Sequence, residues 1–122
     1  MKLRLTPDSV RIRVFQDDLD TFRSQGRVTA TTHIGPSGSV TYGLKVDPEA
    51  EQPRAALDGT TLMIRVPRAL GERWVTADQV GFEADQEVGD DRTVHLLVEK
   101  DIGCQHKEAT SEKAFPHLAD RD

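Results

Sequence analysis

The sequence predicts a mainly β (α+β) protein in which two β-β-α-β-β copies form a small barrel or paired sheets with two short helices. Three observations predict it. The first is an internal match at an offset of 52 residues: Leu5 pairs with Leu57, Val10 with Leu62, Ile12 with Ile64, Arg13 with Arg65, Val14 with Val66 and Phe22 with Trp74. Without a gap, the same offset pairs Val28 with Val80, Leu44 with Leu96 and Val46 with Val98. The second is the alternation of Val10, Ile12 and Val14 with Arg11 and Arg13, the period of two of a half-buried strand. The third is the placing of turn-forming residues between apolar runs, at Pro7, Gly35-Pro36-Ser37-Gly38, Asp58-Gly59 and Gly89-Asp90-Asp91.

The elements follow in order. "KLRL" and "SVRIRV" flank Thr6-Pro7-Asp8, where proline fixes the φ of a turn corner. A helix comes next, with Asp17 or Asp18 able to cap it and Leu19 and Phe22 as its inward pair. "RVTATTHI" and "SVTYGLKV" then form a hairpin across Gly35 to Gly38. "DPEAEQPR" is polar with two prolines and reads as a connector, residues 48–53 at its centre. The second copy opens with "AAL" and "TLMIRV" around Asp58-Gly59, a dipeptide suited to a tight hairpin. Pro67 suits a first helical turn, and Leu70 and Trp74 share one helix face. "QVGFEADQ" and "TVHLLVEK" close the copy across Gly89 to Asp91. Residues 1–104 therefore read as one domain of two repeats, about 1–47 and 54–101, and 105–122 as a polar C-terminal tail with Phe115 as one anchor.

Composition narrows the function classes. With 36% hydrophobic and 30% charged residues the chain suits a folded domain with a modest core rather than disorder. It has no apolar run of the ~18 residues a membrane span needs, and "MKLRLTPDSV" lacks the apolar stretch of a signal peptide. Cys104 is the single cysteine, so no internal disulfide can form. A cytoplasmic location and no membrane partner are the expectations. The net charge of −5 disfavours a general nucleic-acid binder. Residues 1–27 nevertheless carry six basic against four acidic side chains.

Two resemblances add to this reading. In "RVPRALGERW" followed by "DQVGFEAD", Pro67, Leu70, Asp78 and Val80 stand where the swapped-hairpin domain of the AbrB and SpoVT transcription factors has a strand-ending proline, an amphipathic helix and a "GD-x-V" step. The likeness covers residues 55–98 and, more loosely, 3–46, with Ala77 in place of a glycine and Phe15 in place of the first proline. It implies two swapped-hairpin units in one chain and DNA binding by arginines on strands and loops of a dimer. The run "TADQVGFEAD" with "LLVEKDIGC" and "AFP" is similar to a small family of uncharacterised bacterial proteins, which brings no functional residues.

The chemistry that the residues themselves offer is sparse. Arg4, Arg11 and Arg13 alternate with apolar neighbours and share one strand face, which makes them the candidate nucleic-acid contacts. The same arginines also suit a plain solvated sheet face paired with Asp17 or Asp18. Cys104, His106 and His117, with Asp101, could hold a metal, but Cys-x-His with one distant histidine is not a strong zinc spacing. Cys104 with His106 or His95 could form a nucleophile–base pair, and Glu99 with Asp101 a carboxylate pair flanked by Lys100. There is no Gly-rich phosphate loop and no hydrolase signature. The sequence thus predicts a non-enzymatic binding or regulatory protein with a protein partner, no catalytic residue, no metal and no cofactor. An AbrB-like DNA-binding protein and a metal-binding protein through Cys104 and His106 are the alternatives.

Overall fold

The computed structural model describes residues 1–101. The chain runs β1 (Lys2–Thr6), β2 (Ser9–Val14), α1 (Gln16–Gln25), β3 (Arg27–Ile34) and β4 (Gly38–Asp47), then β5 (Arg54–Asp58), β6 (Thr61–Pro67), α2 (Arg68–Thr76), β7 (Gly81–Gly89) and β8 (Arg92–Lys100). Each pair of strands joined by a short turn is an antiparallel hairpin, as the breakers predict. Gly59 adopts a left-handed φ of 62° at the β5–β6 turn, and Asp90 and Asp91 take φ of 53° and 58° at the β7–β8 turn.

The hairpins do not stay with their sequence neighbours. One sheet has the order β1-β2-β8-β7 and the other β3-β4-β6-β5, so each joins one hairpin from either half of the chain. The central pairs are parallel: Ser9 stands beside His95 and Val14 beside Lys100 in the first sheet, and Thr41 beside Thr61 and Val46 beside Val66 in the second. The linkers explain this. Only Phe15 separates β2 from α1 and only Gly26 separates α1 from β3, so the helix carries the chain across to the other sheet. Gly26, at φ 72°, donates its N–H to the Phe22 carbonyl and ends α1 in a left-handed cap.

Several details depart from the sequence reading. A barrel is not formed: the two sheets remain separate. Between the β5 and β7 edges the Gln86 side chain replaces a backbone ladder, accepting from the Ala55 N–H at 2.7 Å and donating to the Ala55 carbonyl at 3.0 Å. Pro67 ends β6 and precedes α2 rather than sitting in its first turn. Strand β7 begins at Gly81, so Val80 lies in the preceding loop and is exposed whereas Val28 is buried. The offset of 52 therefore does not carry past the second helix. Asp18 is the acid at the start of α1, and its carboxylate accepts the Phe15 N–H at 2.9 Å.

The core lies where the alternation places it. Ile12, Val14, Leu44, Ile64, Val66, Leu96 and Val98 are fully buried between the sheets. The helices add Leu19, Phe22 and Trp74. The Trp74 ring stands edge-on to Phe22, centroids 5.8 Å apart, and to Phe82 at 5.2 Å. Its indole N–H donates to the Val80 carbonyl at 3.1 Å. Lys100 turns away from Glu99 towards the interior and donates from Nζ to the Ala77 carbonyl at the C-terminal end of α2. Burial holds its ammonium below the usual lysine range, and Asp78 partly opposes that shift.

Candidate functional site

The two sheets present different charge patterns on their exposed faces, because the register decides which side chains stand in one row. In the first sheet Arg4 faces Arg11, Arg11 stands beside Leu97, and Leu97 faces Glu83. The neighbouring row runs Lys2, Arg13, Glu99, Gly81. Arg4, Arg11 and Arg13 are thus brought together, and with Lys2 and Leu3 they line a depression of about 330 Å³. Glu99 enters this cluster from β8. Its Oε2 accepts from Arg11 Nε and Arg13 Nη2, both at 3.0 Å. Burial pushes the Glu99 carboxyl upward, but the hydrogen bonds from Arg11 and Arg13 outweigh it and the net displacement is below the ordinary value.

That direction fixes a pH dependence. A carboxyl lowered in the folded state stabilises fully above its unfolded value near 4.5 and loses this contribution as pH falls through the folded value. Glu99→Gln is expected to cost about 1–2 kcal/mol at neutral pH, a partly exposed charged hydrogen-bond cluster being worth less than a buried one. The gap from the parent should close as pH falls below the unfolded value and through the lower folded one. Urea midpoints of both proteins across that range measure it.

The acidic half of the same face holds His95. Its Nδ1 meets Asp85 at 2.7 Å and its Nε2 meets Glu83 at 2.8 Å. The Asp85 hydrogen bond, then that of Glu83, raises the imidazole above its ordinary value. Both ring nitrogens of His95 are thus engaged by carboxylates. Glu99 is held by the arginines, and Asp101 follows the end of β8 with its N–H donated to the Val14 carbonyl. Among the described residues no three His, Cys, Asp and Glu side chains gather for a metal. Cys104, His106, His117 and the tail 105–122 lie outside the described residues.

The second sheet carries a row of a different kind. Arg27 faces Lys45, Lys45 stands beside Arg65, and Arg65 faces Arg54. All four are exposed. At a strand spacing of about 4.8 Å the row spans about 14 Å. Its two halves meet different surroundings. Arg65 and Arg54 border the connector acids: Arg65 Nη1 lies 3.5 Å from Asp47 Oδ2, and both arginines line a depression with Asp47, Glu49 and Glu51. Arg27 and Lys45 open instead onto a cavity of about 450 Å³ between the helices and β4. Arg23 of α1 and Arg68 of α2 complete its cationic rim, and Phe22, Val46, Gly71 and Val75 form its apolar wall. Glu72 is its one acid. Among the described residues none of Arg23, Arg27, Lys45 and Arg68 is ion-paired to a carboxylate.

Sequence reasoning missed this cluster because its members come from four elements. Arg23 and Arg27 fall within the basic N-terminal stretch, but Lys45 joins them only through the β3–β4 register and Arg68 only through the hairpin exchange. The length of the β3–β4 turn was the one available signal, since it fixes Arg27 opposite Lys45.

A family model described as a family of unknown function (DUF7009) matches residues 1–118. The chain belongs to that family. No curated protein and no solved structure matches the chain. Among the described residues no helix is long and apolar enough to cross a membrane.

Proposed function

We propose that this member of the family is a non-enzymatic binding or regulatory protein that takes an anionic ligand in the cavity between its two helices. One observation carries the reading: four cationic side chains ring an apolar-walled cavity, and none of them has a carboxylate partner among the described residues. Like charges gathered at one place repel one another, and an anion relieves that repulsion. The arginine cluster of the other sheet differs, since Glu99 already supplies its counter-charge. Protein is the proposed macromolecular partner, in keeping with the net charge of −5.

The proposal extends to the chain's construction from two β-β-α-β-β copies with exchanged hairpins, an arrangement that resembles the AbrB and SpoVT domain. Strand registers support it. Lys2–Arg13 and Arg54–Arg65 correspond at an offset of 52, and Arg27–Lys45 and Gly81–Glu99 correspond at 54. The loop after α2 accounts for the extra two residues. The parallel pairs Ser9–His95 and Thr61–Thr41 correspond under the same two offsets.

Calorimetric titration with inorganic phosphate at low ionic strength tests the binding reading. The expected result is binding that weakens with added salt and falls about tenfold in the double variant Arg27→Gln/Lys45→Gln, the loss of about one charge-assisted contact. Unchanged affinity in that variant would contradict it. Duplex DNA binding through Lys2, Arg4, Arg11 and Arg13 is the second reading, favoured by their meeting in one depression. It predicts salt-steep binding of random duplex that Arg4→Gln/Arg13→Gln weakens, and Glu83 and Asp85 on the same sheet face oppose it.

A further inference from the structure

We infer that the ligand of the cavity is a small organic phosphate with an apolar body. The inference rests on the anion-binding reading above and names the chemical class of its ligand. The charge balance points to a dianion: Arg23, Arg27, Lys45 and Arg68 against Glu72 leave an excess of three positive charges. A phosphomonoester carries about −1.5 to −2 at neutral pH and offers three acceptor oxygens. Three of the four cations are arginines, whose planar forks match phosphate oxygens in pairs.

The cavity is also larger and more apolar than an inorganic ion requires. Its volume of about 450 Å³ lies within the size range of sites for organic ligands. Phe22, Val46, Gly71 and Val75 would leave a bare phosphate with no use for one wall. Gly71 keeps that wall open. It sits inside α2, where glycine is the least favourable residue after proline. The atoms nearest a Cβ placed there belong to the Phe22 and Val66 side chains, at 3.5 Å, an ordinary contact distance. Neither a left-handed backbone nor a clash calls for glycine at this position, and a longer side chain would stand among the residues that line the cavity.

The two-copy arrangement sharpens the point. At the offsets supported by the registers, Arg23 corresponds to Val75, Arg27 to Gly81, Lys45 to Glu99 and Arg68 to Gln16. Gly71 corresponds to Leu19, which is buried. Every cation of the cavity is replaced by an uncharged or acidic residue in the other copy, and the open position is filled. The shared fold therefore does not require these side chains.

Calorimetry with four probes tests the inference: phenyl phosphate, inorganic phosphate, benzoate and phenol. Phenyl phosphate is expected to bind at least tenfold tighter than each of the others. Arg68→Glu, a reversal at an exposed position, should weaken both phosphates at least tenfold. Gly71→Leu should remove the advantage of phenyl over inorganic phosphate, its melting temperature showing that the fold is kept. Equal affinity for phenyl and inorganic phosphate would overturn the organic body while leaving an anion site. Benzoate binding as tightly as phenyl phosphate would overturn the phosphate head. Failure of every anion to bind would overturn the site itself, and the anion-binding reading with it.

Discussion

Truncation of Trp74 to alanine is expected to cost about 3–5 kcal/mol, the range for a large aromatic removed from a core. The indole is fully buried and stands edge-on to both Phe22 and Phe82, so its loss leaves two rings without their central neighbour. Its N–H bond to the Val80 carbonyl ties α2 to the loop that leads into β7. That carbonyl also accepts the Lys100 N–H at 2.8 Å, so alanine would not orphan it and the cost falls on packing. Against a usual total of about 5–15 kcal/mol, such a loss removes a large share of the stability. Urea unfolding followed by far-ultraviolet circular dichroism measures it. A loss below about 1 kcal/mol would show that the aromatic trio does not organise the core.

The second large effect is expected at Gly43. It lies on β4 opposite Thr29 of β3, and an added Cβ would fall 2.0 Å from the Val28 carbonyl oxygen and 2.8 Å from Thr29 Cα. Both obstacles are backbone, so a rotamer change cannot relieve them and β3 must move. Gly43→Ala is expected to cost about 3 kcal/mol, at the upper end for overpacking. Gly59 is the control. It has a positive φ but nothing within 4 Å of its Cβ position, so alanine there meets only backbone strain of about 1–2 kcal/mol. Denaturation midpoints of the two variants side by side check the ranking. The reverse order would mean that β3 yields more easily than the turn.

The elements were legible in the sequence because each has a local cause. The alternation of Val10, Ile12 and Val14 sets a strand face, the Asp58-Gly59 turn sets a hairpin, and Leu19 with Phe22 sets the buried side of α1. Strand partners were not legible in the same way. Alternation says which side chains face inward but not which strand lies alongside, and the contacts of β2 with β8 join residues 86 to 88 positions apart, as Arg13 and Arg11 are from Glu99. The arginine face of β2 could therefore be read from the sequence while its Glu99 counter-charge could not. The cavity was further from view, since its rim draws on α1, β3, β4 and α2 and depends on a glycine at position 71 rather than on any motif.

The central claim is that anions bind between the two helices rather than on the arginine face of β1 and β2. The most direct measurement is a two-dimensional amide NMR titration of the full chain with phenyl phosphate, at constant pH and ionic strength. The account predicts saturable shifts at Arg23, Arg27, Val46 and Gly71, which border the cavity on α1, β3, β4 and α2. Shifts confined to Arg4, Arg11, Arg13 and their strand neighbours, or no saturable shift at all, would contradict it.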